Sequence, residues 1–149
     1  MREVVLAMAV LAACATSALS QSLDQQERCA QQARRAYEKI EADKVALNKR
    51  LGNELLSMNY QSHYNTKHGK CLMLVQTTER VVGLLRITEL LTDANERRQY
   101  AYYVWLQEDN QQSSEVPPRT CVLTPSLRDR KDCASSKEFD EFVAPYIEE

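Results

Sequence analysis

Leu55-Leu56-Ser57-Met58-Asn59-Tyr60-Gln61-Ser62-His63-Tyr64 alternates with a period of two. Leu56, Met58, Tyr60, Ser62 and Tyr64 fall on one side. Leu55, Ser57, Asn59, Gln61 and His63 fall on the other. A half-buried strand has this pattern, because successive side chains of an extended backbone point to opposite faces. Asn65-Thr66-Lys67-His68-Gly69 is turn chemistry. Cys71 to Thr78 follows as a second strand, so the two form a hairpin with a loop of about five residues.

Working outward towards the C-terminus, Leu84 to Leu91 is a third strand candidate. Its leucines and Ile87 also fit helical spacing, but the short turn Thr92-Asp93-Ala94-Asn95-Glu96 favours a strand leading into the next one. Gln99 to Gln107 is rich in Tyr, Val and Trp and reads as the fourth strand. Glu108 to Pro118 is a polar, Pro-containing loop, and Thr120 to Leu123 can add a short edge strand. Ser126 to Asp132 is a charged connector. Ser135-Ser136-Lys137-Glu138 has capping-box spacing. Phe139, Phe142, Val143, Tyr146 and Ile147 follow on one helical face, with Pro145 expected to break or kink the helix after Val143.

On the N-terminal side, Cys29, Ala33, Ala36, Tyr37 and Ile40 share one face of a helix that opens at a capping box, Ser22 to Gln25. The helix can continue through Leu47 and Leu51 to a stop at Gly52, although Asp43 and Lys44 interrupt its stripe. The fold class expected is α+β. An N-terminal helix lies on an antiparallel meander of about four strands, with a short C-terminal helix and two disulfides.

Residues 1–20 have the composition of an export signal: Arg2, then an apolar run from Val4 to Ala13, too short to span a bilayer. Ala18-Leu19-Ser20 predicts ordinary cleavage before Gln21, leaving 21–149 as a single domain. Leu11-Ala12-Ala13-Cys14 is the competing site, a lipobox in which Cys14 would be acylated, and only then is membrane contact expected. Periplasmic or secreted localisation follows, with a membrane-anchored lipoprotein as the alternative. Cys29, Cys71, Cys121 and Cys133 remain, an even number in an oxidising compartment, which predicts two disulfides. Three pairings are possible. Cys29–Cys71 with Cys121–Cys133 is preferred, since the second closes a short loop and the first ties a helix to a strand. Their spacing lacks the CxxC knuckle of a zinc site.

The chain has 149 residues and a net charge of −2. A dedicated nucleic-acid binder needs a basic excess, so no nucleic acid is expected as partner. Three glycines leave no material for a phosphate-cradling loop, and no cofactor is expected. His63 and His68 are the only histidines, too few for a metal site without further ligands. Ser62 and His63 are adjacent and face opposite ways, so they cannot form a nucleophile–base pair, and no catalytic residue is assigned.

Asn59-Tyr60-Gln61-Ser62-His63-Tyr64-Asn65 followed by Lys70-Cys71 resembles a group of uncharacterised exported bacterial proteins with an SHYN segment shortly before a Lys-Cys pair. The resemblance extends to the aromatic strand and to the Cys133, Glu138-Phe139 and Phe142-Val143 stretch. It implies an exported, disulfide-bonded small domain and no particular activity. The surplus of aromatics on the fourth strand predicts a non-catalytic domain that binds an envelope component, a protein. Tyr102 and Val104 are expected on the core face. The face of Tyr103 and Trp105 is expected to be the binding surface, with Trp105 at least partly accessible. His63 and Tyr64 are further candidate binding residues, and in the alternative below His63 with Tyr60 or Tyr64 would line a pocket. The alternative is a small hydrolase or small-ligand-binding domain with a helix–sheet pocket near His63.

Overall fold

The computed structural model describes residues 2–107, 116–126 and 128–148, with side chains described from residue 23 onward. In chain order the elements are α1 (Arg2–Leu51), β1 (Glu54–Asn65), β2 (Lys70–Val81), β3 (Leu84–Asp93), β4 (Gln99–Gln107), β5 (Thr120–Leu123), β6 (Lys131–Asp132) and α2 (Ser136–Ile147). The six strands form one sheet in the order of the chain, every neighbouring pair antiparallel. The fold is α+β as expected, but with six strands rather than about four. The additional edge is β6, a two-residue strand inside the charged connector. It pairs Val122 with Asp132 and Leu123 with Lys131, and a segment so short carries no periodicity to reveal it.

The Cys71-Leu72-Met73-Leu74-Val75 run of β2 is buried throughout. Consecutive buried residues on a strand require a cover on each face. Cys71, Met73 and Val75 pack with Cys29 and Ala33 of α1, while Leu72 and Leu74 pack with Phe139 and Val143 of α2. The sheet is therefore the middle of three layers, and its faces carry separate cores. Disulfides Cys29–Cys71 and Cys121–Cys133 join α1 to β2 and β5 to the segment after β6, with Cα separations of 5.2 and 5.0 Å. This is the preferred pairing, and such bridges persist in an oxidising environment.

The helix ends follow local chemistry. Helix α1 stops at Gly52, which sits at φ +70°, and the Asn53 amide reaches back to the Asn48 carbonyl at 3.0 Å. That left-handed residue with its long return bond is the Schellman arrangement. At the other end α1 passes Ser22 without interruption, so the expected capping box there does not start the helix. The side chains of residues 1–22, on which the signal and lipobox readings rest, lie outside the described residues, as do 108–115 of the polar loop. Among the described residues no helix is long and apolar enough to cross a membrane.

Helix α2 begins where expected: the Ser135 hydroxyl accepts the Glu138 amide at 3.2 Å. It does not break after Val143. Pro145 lies in the last turn, where the helix has nearly finished, and its carbonyl accepts a bond from Asn65 Nδ2 at 2.9 Å. A β1 side chain thus satisfies one of the helix's terminal acceptors and fixes α2 across the sheet.

Candidate functional site

The aromatic strand comes first, because the sequence makes it the binding face. Trp105 and Tyr103 are each only 3% exposed. In register Tyr103 lies between Glu89 and Cys121, and Trp105 opposite Ile87, all on the α2 side of the sheet. The Tyr103 ring sits 5.3 Å from that of Phe139. The expectation of an accessible Trp105 is therefore overturned: α2 supplies a second core, and the face bearing Tyr103 and Trp105 belongs to it. Val104 on the opposite face is buried as well, and Tyr102 is half-buried. A bulge at Leu91/Thr92 leaves Tyr100 without a pairing partner on β3, so both Tyr100 and Ala101 join the α2 core.

His63 and Tyr64 also separate. His63 pairs with Leu72 on the α2 face, is half-buried, and its side chain makes no hydrogen bond or ion pair among the described residues. Ser62 pairs with Met73 on the α1 face, so the two do point apart. Tyr64 is a strut between α1 and β1. Its amide donates to Gln26 Oε1 at 2.9 Å, and its carbonyl accepts from Gln26 Nε2 at 3.0 Å. His68 stacks on Tyr146 with ring centroids 5.1 Å apart. Among the described residues no three His, Cys, Asp or Glu side chains converge on a metal-sized point.

The concavity that the fold does build lies beside α1. Helix α1 covers β1 and the start of β2 and leaves a cleft of about 190 Å³ along its flank. Ala36 and Ile40 form one wall, Met73 and Leu90 the floor, and Lys39, Asp43, Thr92 and Arg97 the mouth. A shallower continuation runs past Gln32, Arg35, Ala94 and Asn95. Small side chains at Ala36 and Ala94 line this groove at the helix. The β3–β4 turn closes its end. Asp93 Oδ1 accepts the amides of Asn95 at 2.7 Å and Glu96 at 2.9 Å, and Arg97 is held at φ +55°. Non-glycine residues seldom adopt that backbone conformation, and here it presents Arg97 to the cleft.

Lys39, Arg97 and Asp43 have no hydrogen-bonded or ionic side-chain partner among the described residues. With Arg35 further along, three cations face the free Asp43 carboxylate over an apolar floor, and the buried Asp93 carboxylate, which also lines the cleft, has Lys70 at 3.7 Å. No family model matches the chain, and no curated protein or solved structure is significantly similar to it.

Read as sequence, Arg35 and Lys39 lie off the buried stripe and Arg97-Arg98 is a charged pair expected to be solvated surface. Arg35, Lys39 and Arg97 are exposed, but Arg98 is half-buried with its guanidinium over the Tyr100 ring, and nothing in the sequence shows that helix flank and turn face each other. Only the β2–β3–β4 register brings residue 97 next to residue 39. The one legible hint is the break in the α1 stripe at Asp43-Lys44, where the helix begins to overhang polar rather than apolar surface.

Proposed function

We propose that this chain is a non-catalytic binding domain of a compartment beyond the cell membrane, exported by its N-terminal segment with cleavage before Gln21. Its partner is an envelope protein, which docks an apolar segment carrying acidic residues into the α1–sheet cleft. The observation that carries this reading is the pair of unpartnered cations, Lys39 and Arg97, at the mouth of an apolar cleft. At about 190 Å³ the cleft is smaller than the roughly 300–1,000 Å³ of sites that enclose a drug-sized ligand. It suits side chains presented by a larger partner. Lys39 and Arg97 would select acidic neighbours and speed encounter. The resemblance carried by Ser62-His63-Tyr64-Asn65 and Lys70-Cys71 supports export and adds no activity.

A photocrosslinking residue placed at Lys39 in the exported, disulfide-bonded chain tests the reading. One defined protein should be captured there and not from Lys137, on the opposite side of the sheet. Lys39→Glu with Arg97→Glu should abolish capture from a neighbouring groove position, Gln32. Equal capture from positions 39 and 137, or capture indifferent to charge reversal, overturns it.

A further inference from the structure

The β2–β3 hairpin ends in a stretch that its own fold does not use. Arg80-Val81-Val82-Gly83-Leu84-Leu85-Arg86 sets five residues without a polar side chain between two arginines, and none of the five is buried. The last β1–β2 pair is Glu54 with Arg80 and the last β3–β4 pair is Leu85 with Gln107, whereas β2 and β3 stay paired as far as Val81 and Leu84. The turn therefore outruns both neighbouring strands and stands out from the end of the sheet. Val82, 94% exposed, holds φ +52° there, a left-handed conformation that suits Asn, Asp or Gly and strains a β-branched residue. A side chain that is apolar, strained and exposed to water stabilises nothing within the chain. Strain of this kind gathers at sites that contact something else.

The same end carries further apolar surface and free positive charge. The Asn48–Glu79 bond and the two-residue link Gly52-Asn53 set the last turn of α1 beside the ends of β1 and β2. Leu51 in that turn is exposed, as is Leu56 beside the bulge in β1. Four of the six exposed large apolar side chains among the described residues, Leu51, Leu56, Val82 and Leu84, thus share one end of the molecule. Lys49 and Arg50, also in the last turn of α1, are exposed and have no hydrogen-bonded or ionic partner among the described residues. Arg80 pairs with Glu54 at 2.6 Å and Arg86 with buried Glu79 at 2.7 Å. Those pairs occupy both acids described at this end, so Lys49 and Arg50 stay unneutralised by them. Glu108 and Asp109, next after Gln107 in the chain, lie outside the described residues.

We propose that the β2–β3 turn is a wedge that seats this chain on a bilayer containing anionic phospholipid, with Val82 and Leu84 entering the interface and Lys49 and Arg50 at the headgroups. A protruding apolar turn needs a matching pocket if its partner is a folded protein, whereas lipid closes around it without one. Free cations beside the apolar residues match a negative headgroup layer. The contact lies on the membrane and does not cross it, and it needs no acyl group on Cys14. Arg97 sits in the turn at the other end of β3, so a chain seated in this way keeps that end of the cleft clear of lipid.

Vesicle flotation tests the wedge, using the exported, disulfide-bonded chain with Cys14→Ser so that neither cleavage site leaves an acyl chain. The chain should float with mixed phosphatidylglycerol–phosphatidylcholine vesicles and far less with phosphatidylcholine alone. Val82→Asn should weaken partitioning by about tenfold, the effect of losing the burial of one valine. Its melting temperature should rise at the same time, which separates lost binding from lost folding. Lys49→Glu with Arg50→Glu should abolish the preference for anionic vesicles. Leu23→Asn, an exposed leucine near the Tyr64 end of β1, should change nothing. Leu84→Trp should emit further to the blue when anionic vesicles are added, since Trp105 is already buried in the free chain. No flotation, equal flotation on both vesicles, undiminished flotation of Val82→Asn, or an equal loss from Leu23→Asn would each overturn the wedge.

Discussion

Asn48 Nδ2 donates to Glu79 Oε1 at 2.7 Å, a bond between two fully buried side chains that ties the last turns of α1 to β2. The same carboxylate accepts Lys44 Nζ at 3.0 Å and Arg86 Nη2 at 2.7 Å. An acid with no exposed surface survives here because donors from α1 and β3 satisfy both of its oxygens. The stripe break at Asp43-Lys44, which weakens the helical pattern in the sequence, is where the helix changes from an apolar contact to this ionic one.

Removing that acid leaves Lys44, Arg86 and Asn48 facing an empty polar pocket. Glu79→Ala should cost about 3 kcal/mol, the low end for breaking a buried pair, because Lys44 and Arg86 keep some access to water. Burial alone would raise the Glu79 pKa, but bonds from Lys44, Asn48 and Arg86 outweigh it and hold the carboxyl below its ordinary value. A depressed folded pKa means that the group stabilises the fold above its unfolded value of about 4.3. That contribution is lost as pH falls through the folded value. Urea midpoints should therefore drop from pH 6 to pH 3, and Glu79→Gln should flatten the drop. Identical slopes for the two proteins would refute this role.

The two bridges should differ in worth. Cys29–Cys71 spans 42 residues and Cys121–Cys133 spans 12. Loop-closure entropy then assigns about 4 kcal/mol to the first and about 3 to the second. The first also sits inside the α1 core with Ala33 and Met73, so its double Ala variant loses packing as well. Denaturant unfolding of the two double variants should rank them in that order. The reverse order would show that the short bridge, by fixing β5 before α2, does more than its loop length implies.

Much of this architecture was legible. The period-two run at 55–64, the turn at 65–69, the strand preference for 84–91 and both helical stripes each rest on local chemistry that the fold keeps. What escaped was tertiary. Five consecutive apolar residues at 71–75 ask for a cover on both faces, but local pattern gives the aromatic strand one core face and one free face. Trp105 is inside because the Phe139–Ile147 stripe of α2 takes a face of the sheet to itself. The cleft was less accessible still, since Lys39 and Arg97 are ordinary surface cations until the sheet register brings them together.

The β2–β3 turn carries a local conflict that a single change should relieve. Val82 and Gly83 both have positive φ, +52° and +83°, the pattern of a type I′ hairpin. A β-branched residue is strained there, and Val82 is 94% exposed, so no packing offsets the strain. Val82→Asn supplies the residue that this turn prefers and should raise stability by about 0.5–1 kcal/mol. A melting temperature that stays level or falls would mean that the turn is held by contacts other than its own backbone preference.

Trp105 separates a core from a surface most sharply. Its indole is 3% exposed, packed in the cluster that includes Tyr103, Leu91 and Phe139, and its Nε1 has no hydrogen-bond acceptor. Trp105→Ala should cost about 3–5 kcal/mol, which for a domain of this size removes most of the margin that keeps it folded. Trp105→Phe should be much milder, about 1–2 kcal/mol. It keeps most of the ring's packing and deletes an N–H that is buried without a partner, so part of the lost area is offset by a removed desolvation cost. Emission from the native chain should be blue-shifted and resist iodide. Red-shifted emission that iodide quenches readily, with a small effect of Trp105→Ala on melting, would return the residue to the surface and undo the second core beneath α2.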